Sequence, residues 1–187
     1  MRSPFYFIVE PLEGKRYKNS KEIAGIDFIT SSSQENHMAS NREAVVVSTP
    51  LNYTGPIEKG DILLVHHNVF KFYYDMRGRE KSGKSYFKDN LFFVDNEQFF
   101  LYKHNDQWFS HYKYCFVEPI PSEDYFLLKN FNEEPLMGKM KYTNAHLESK
   151  GVRQGMKVGF KPESEYEFEV DGEKLYRMFD HQITIML

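Results

Sequence analysis

Short apolar blocks separated by turn residues run along this chain, and no sustained three-to-four helical spacing replaces them. Phe5-Tyr6-Phe7-Ile8-Val9, Ala44-Val45-Val46-Val47 and Ile62-Leu63-Leu64-Val65 are each four or five residues long. Blocks of that length, bounded by Gly, Pro, Asn and Asp, predict β-strands. Near the end, Glu163, Glu165, Glu167 and Glu169 alternate with Ser164, Tyr166, Phe168 and Val170. That two-residue period predicts a strand with one acidic and one largely apolar face. Helix is confined to one turn at most, between Ala145 and Gly151.

The pattern occurs twice. Ile57-Glu58-Lys59-Gly60-Asp61-Ile62 and Val152-Arg153-Gln154-Gly155-Met156-Lys157 share an apolar residue, two polar ones and a glycine that turns the chain into a strand. Phe93-Val94-Asp95-Asn96-Glu97 pairs with Glu169-Val170-Asp171-Gly172-Glu173, both reading as tight hairpins. Tyr6-Phe7-Ile8-Val9 matches Tyr125-Phe126-Leu127-Leu128, and Ala44-Val45-Val46-Val47 matches Gly138-Lys139-Met140-Lys141. The expected fold is all-β: two tandem small, partly open barrels, residues 1–119 and 120–187. The stiff Pro119-Ile120-Pro121 connection marks the boundary. The first repeat carries two additions, at about 12–42 and 71–92.

The earlier addition holds a polar run, Ser31 to Asn36, and an apolar island with Ile23, Ile26, Phe28 and Ile29. Large apolar residues in such a setting suit either a partner-binding loop or an island docked on its own barrel. The later addition, with Lys71-Phe72-Tyr73-Tyr74 and Tyr86-Phe87 flanking the charged stretch from Arg77 to Lys84, predicts an extended hairpin with a basic tip.

Composition narrows the chemistry. Aromatic residues make up 17 %, which favours pleated, half-buried surfaces. The net charge of −3 creates no field for non-specific binding to nucleic acid or anionic membranes. One cysteine, Cys115, and no apolar stretch of spanning length predict a soluble cytoplasmic protein without a membrane anchor. Gly78-Arg79-Glu80-Lys81-Ser82-Gly83-Lys84-Ser85 matches the phosphate-loop spelling, but strand-like residues follow where that chemistry needs a helix. The histidines lack metal-site spacing, and His66 and His67 on one strand would face opposite ways. Cys115 in a strand reads as a buried structural thiol. No enzyme, metal or cofactor is expected.

Taken in order, Tyr6-Phe7-Ile8-Val9-Glu10-Pro11, Ala24-Gly25-Ile26-Asp27-Phe28-Ile29, Arg42-Glu43-Ala44-Val45-Val46-Val47 and Ile57-Glu58-Lys59-Gly60-Asp61 resemble the GroES-type co-chaperonins. Those have an opening strand, a mobile loop with an apolar patch, a second strand and a glycine turn. Gly151 to Phe160, Tyr166 to Met178 and Ile183 to Leu187 resemble the rest of the family pattern. The resemblance covers most of the chain as a divergent tandem form, of a kind that suits a phage-encoded relative. It implies a homo-oligomeric ring that caps a chaperonin (GroEL-type) ring in a bacterial or infected-host cytoplasm and assists ATP-dependent folding. Ile23, Ile26, Phe28 and Ile29 would be the anchor. Asp27 departs from an apolar patch, and the second repeat leaves only Asn130 to Pro135 between its first strands. Two other readings of the residues are a nucleic-acid-binding barrel, using the aromatics with Arg77, Arg79, Lys81 and Lys84, and a structural or assembly protein that keeps the barrel without the activity.

Overall fold

The computed structural model describes residues 1–17, 20–23, 26–29, 40–122 and 133–187. They form two compact units, 1–107 and 108–187. The architecture is all-β and antiparallel, with one α-helix among the described residues, and neither sheet closes on itself into a barrel there.

In the first unit the strands are β1 (Phe7–Pro11), β2 (Ser20–Ile23), β3 (Ile26–Ile29), β4 (Glu43–Ser48), β5 (Ile62–Val65), β6 (Phe72–Tyr74), β7 (Glu80–Ser82), β8 (Tyr86–Lys88), β9 (Leu91–Val94) and β10 (Phe99–His104). Next come β11 (Gln107–Ser110), β12 (Tyr114–Pro121), β13 (Glu133–Tyr142), the helix α1 (Ala145–Ser149), β14 (Lys157–Phe160), β15 (Tyr166–Val170), β16 (Glu173–Phe179) and β17 (Ile183–Met186). The main sheet of the first unit runs β8-β9-β1-β4-β5-β10, and that of the second runs β15-β16-β12-β13-β14-β17. The two orders match strand for strand.

The hydrogen bonds match too. Gly60 donates to the Val46 carbonyl and Val46 to that of Asp61, at 2.8 Å each. In the second unit Gly155 donates to Met140 (2.7 Å) and Met140 to Met156 (2.9 Å). Gly60 and Gly155 have φ of 97° and 86°, a region where a side chain strains the backbone. Val9 lies opposite Val46, and Val117 opposite Met140. The expected likeness of Ala44–Val47 to Gly138–Lys141 is therefore the structural one.

Two expected pairings are corrected. The opening strand of the second repeat is β12, whose Tyr114-Cys115-Phe116-Val117-Glu118-Pro119 parallels Tyr6-Phe7-Ile8-Val9-Glu10-Pro11. Tyr125–Leu128 lie outside the described residues, in the connection between β12 and β13. That connection holds the place that residues 12–42 hold in the first unit; it runs through residues 122–132, and Glu133 to Pro135 already belong to β13. The expected division at Pro119 falls inside β12, which pairs with both β13 and β16. Pro119 and Pro121, which cannot donate to a ladder, flank a register shift against β13.

The counterpart of Asp171-Gly172 (φ 49° and 81°) is Asp89-Asn90 (φ 47° and 64°). Each is a two-residue turn with both central residues left-handed, as tight hairpins require. Asp95–Gln98 instead carries the chain from β9, beside β1, to β10, beside β5. Its equivalent is the turn from β16 to β17. Asp95 N–H donates to Gln98 Oε1 (3.1 Å), as Phe179 N–H does to Gln182 Oε1 (2.8 Å). His66 N–H reaches the Gln98 carbonyl and Lys161 N–H the Gln182 carbonyl. The later addition thus shrinks to one ribbon, β6–β7, since the β8–β9 hairpin belongs to the repeated scaffold. The phosphate-loop spelling contains β7, strand β8 follows where that chemistry needs a helix, and Gly83 N–H donates to the Lys71 carbonyl.

Alternation fills each core. Phe7, Val9, Ala44, Val46, Phe92 and Val94 face one apolar cluster with Leu63, Val65 and Phe99. In the second unit, Cys115, Val117, Met140, Val158 and Met178 do the same. Burial, reinforced by the nearby Asp180 charge, pushes the Cys115 thiol up to about 12, so it stays protonated. On β15, Glu167 and Glu169 are exposed while Phe168 and Val170 are buried, as the alternation predicts. The helix is capped by Asn144, whose Oδ1 accepts from Leu147 N–H (2.9 Å).

A Cβ on Gly138 would sit 2.2 Å from Val117 Cγ1 and 2.8 Å from the Glu118 carbonyl oxygen. Gly138→Val is expected to destabilise the second unit by about 1–3 kcal/mol or more, read as a lower midpoint in urea unfolding. Asp180, 8 % exposed, joins the crossing turn to the helix: its Oδ2 lies 2.9 Å from His146 Nδ1 and its Oδ1 accepts from His181 N–H. Burial opposes the charge, but these hydrogen bonds and the neighbouring imidazoles outweigh it and hold the carboxyl below its ordinary 3.8. A depressed carboxyl stabilises the folded state above the unfolded value and loses that contribution as pH falls through the folded one. Unfolding midpoints measured below about pH 4 should fall more steeply in the native chain than in Asp180→Asn. Equal slopes would remove Asp180 from the acid response.

Candidate functional site

The segment between β1 and β4 leaves the first sheet through a closed stem. A 3₁₀ turn, Leu12–Gly14, ends β1, and Tyr17 bridges Ser40. Asn41, 1 % exposed, holds both sides. Its Nδ2 donates to the carbonyls of Leu12 (3.0 Å) and Lys15 (2.8 Å), its Oδ1 accepts from Glu43 N–H (3.0 Å), and its own N–H reaches the Arg16 carbonyl (2.9 Å). A buried amide with both ends engaged fixes the two chain directions at once. Ser40 Oγ adds a bond to the His67 carbonyl (3.1 Å).

Arg16 ties the stem to the neighbouring hairpins. Its guanidinium donates to Ser82 Oγ (3.2 Å) and Asn90 Oδ1 (3.4 Å), and lies 5.0 Å from the Tyr86 ring centre and 4.9 Å from that of Phe92. Asn90 Nδ2 returns a bond to the Gly14 carbonyl. The Tyr17 ring meets Phe72 edge-on at 5.1 Å. The two additions of the first unit therefore share one anchored base.

Beyond the stem, β2 and β3 form an antiparallel hairpin. Ile23 stands opposite Ile26, Glu22 opposite Asp27, Lys21 opposite Phe28 and Ser20 opposite Ile29. The backbone register brings Ile23 and Ile26 together. It sets Ile23, Ile26 and Phe28 in one parity and Asp27 with Ile29 in the other, so the four candidate anchors do not share one series. Ser31 to Asn36 lie outside the described residues.

His66 and His67 follow β5 rather than lying on it, so strand alternation does not separate them, and their ring centres lie 4.1 Å apart with the planes tilted by 33°. His104 Nδ1 lies 3.0 Å from Asp61, and Trp108 Nε1 donates to Asp171 (2.9 Å). Among the described residues no group of three or more His, Cys, Asp or Glu is placed to hold a metal. None of the described helices is long and apolar enough to cross a membrane. Asn41 and Arg16 escaped the sequence reading. An Asn-Arg pair before a strand carries no local signal of a buried amide that reaches back to residues 12 and 15.

No protein-family model matches the chain, and no curated protein matches it.

Asn41→Ala leaves two carbonyls and one N–H unanswered in a buried stem, at an expected cost of about 1–3 kcal/mol. Hydrogen exchange should rise first at Arg16, Tyr17 and Glu43, ahead of the β4–β5 ladder. Uniform loss of protection across the unit would mean that Asn41 supports the whole sheet rather than the stem.

Proposed function

We propose that the protein is a co-chaperonin-like lid without enzymatic activity, built from two tandem GroES-like barrels. The first presents an apolar hairpin to a chaperonin ring. The observation that carries this reading is the β2–β3 hairpin, with Ile23 opposite Ile26, standing on the stem clamped by Asn41. A hairpin on a fixed base can be offered to a groove without disturbing the sheet beneath it. The matching strand orders support a duplicated ring-forming unit.

The energetics suit a lid that must also leave. Burying Ile26, Phe28 and Ile29 would contribute about 1.5–3 kcal/mol each. Ordering a segment on binding costs about 2–5 kcal/mol. One contact is then weak, and a ring of them is strong through effective concentration. Ring formation has a candidate surface in β17, an edge strand whose Ile185 and Met186 are 55 % and 51 % exposed. Exposed apolar edges invite strand pairing with another chain.

Ile23, Ile26, Phe28 and Ile29 together changed to Ser are expected to abolish ATP-dependent co-sedimentation with a chaperonin ring while the thermal unfolding of both units is retained. Undiminished co-sedimentation of that variant would remove the anchor. Electron microscopy of the unaltered protein supplies the second arm, because a lid requires a closed ring of copies.

A further inference from the structure

The β6–β7 ribbon is the addition that the lid reading leaves unused. The second unit attains the same strand order without it, passing from Phe160 to β15 through residues 161–165. The ribbon contributes little to the core: Phe72 is buried against Tyr17, while Tyr73 and Tyr74 are 49 % and 52 % exposed and Met76 at the tip is fully exposed. The tip is held by hydrogen bonds within itself. Asp75 Oδ1 accepts from the backbone N–H groups of Arg77 (2.8 Å) and Arg79 (2.9 Å), and Gly78 turns the chain at a φ of 71°.

Its charge departs from that of the molecule. Residues 71–84 carry Lys71, Arg77, Arg79, Lys81 and Lys84 against Asp75 and Glu80, a surplus of three positive charges on a chain whose net charge is −3. Among the described residues none of these five cations is paired with a carboxylate, whereas Lys141, Lys157 and Lys174 on the second sheet each meet a glutamate. The register sets Tyr73 directly opposite Lys81, so an exposed ring and an unpaired cation stand side by side on one face of the ribbon.

We propose that this ribbon is a binding surface for single-stranded nucleic acid, with Tyr73 as the stacking platform on the Lys81 face and Arg77, Arg79, Lys81 and Lys84 as phosphate contacts, while Tyr74 lies on the other face opposite Glu80. A flat exposed ring beside cations fits a strand whose bases are unstacked and whose phosphates recur along it. An acidic polypeptide would use the cations and gain nothing specific from the ring. The surface is separate from the β2–β3 hairpin, and the two activities are separable by mutation.

The test is fluorescence anisotropy with labelled oligothymidylate of about 20 nucleotides, titrated between about 50 and 200 mM salt. Saturable binding that weakens with salt is expected, with a logarithmic slope of roughly −0.7 for each phosphate contacted. Changing Arg77, Arg79, Lys81 and Lys84 to Ser should flatten that slope. Tyr73→Ala should weaken binding on the order of tenfold at unchanged slope, whereas Tyr73→Phe, and Tyr74→Ala on the opposite face, should retain it. Because these side chains are exposed, an unchanged melting curve accompanies each variant in the expected result. No saturable binding at the lowest salt overturns the proposal. So does equal competition by polyglutamate, or indifference to loss of the Tyr73 ring, either of which reduces the surface to bare charge.

Discussion

A strand hydrogen-bonded along both edges has to satisfy two neighbours at once, and β1 and β12 each carry that constraint. Val9 sits between Val46 and Phe92, and Val117 between Met140 and Tyr176. Those pairings decide which residues face the core in four other strands, because a slip of one position would turn every side chain over. The glycine turns at Gly60 and Gly155 then bring the next strand back at the right register, with the same pair of backbone bonds in both units.

Within that frame the units differ in what fills the space. Aromatic edges dominate the first core: Phe7 meets Tyr53 and Phe99 at 5.0 and 5.5 Å, and Phe70 meets Phe92 at 4.8 Å. The second relies more on Met140, Met178, Leu147 and Val158. Its outer surface is laced by ion pairs, with Glu133 accepting from Lys174 and Tyr176, and Lys174 also 3.4 Å from Glu167. Burial opposes the Glu133 charge, yet those donors hold the carboxyl below its ordinary range. Such exposed pairs specify the arrangement of strand ends more than they stabilise it.

The sequence was most readable where local chemistry decides structure. The alternation marked β15 and both its faces from Tyr166 to Val170, although Glu163 (φ 58°) and Glu165 precede the strand; Gly60 and Gly155 marked their turns, and Ala145–Gly151 its single helical turn. It misled where a local pattern has two meanings. Asp89-Asn90 and Asp95-Asn96 look alike, yet only the former is a tight hairpin, because β9 and β10 take β1 and β5 as partners instead of each other. The Val-Glu-Pro shared by residues 9–11 and 117–119 marks the true repeat. A proline pair reads locally as a linker, while in the fold a register shift accommodates it within a strand. The candidate anchors Ile23 and Ile26 were legible as an apolar island, but the stem beneath them was not, since Asn41 acts through carbonyls far back in the chain.

The buried amide of Asn41 has a consequence for how such a protein changes over generations. A side chain that fastens Leu12 and Lys15 to the start of β4 insulates the sheet from whatever chain lies beyond the stem. Substitutions, insertions or wholesale exchange of that excursion can be sampled without a toll on the scaffold, because loop closure costs only about 0.6 kcal/mol per doubling of length. A lineage could thereby rewrite that one segment while the latch residue stays in place.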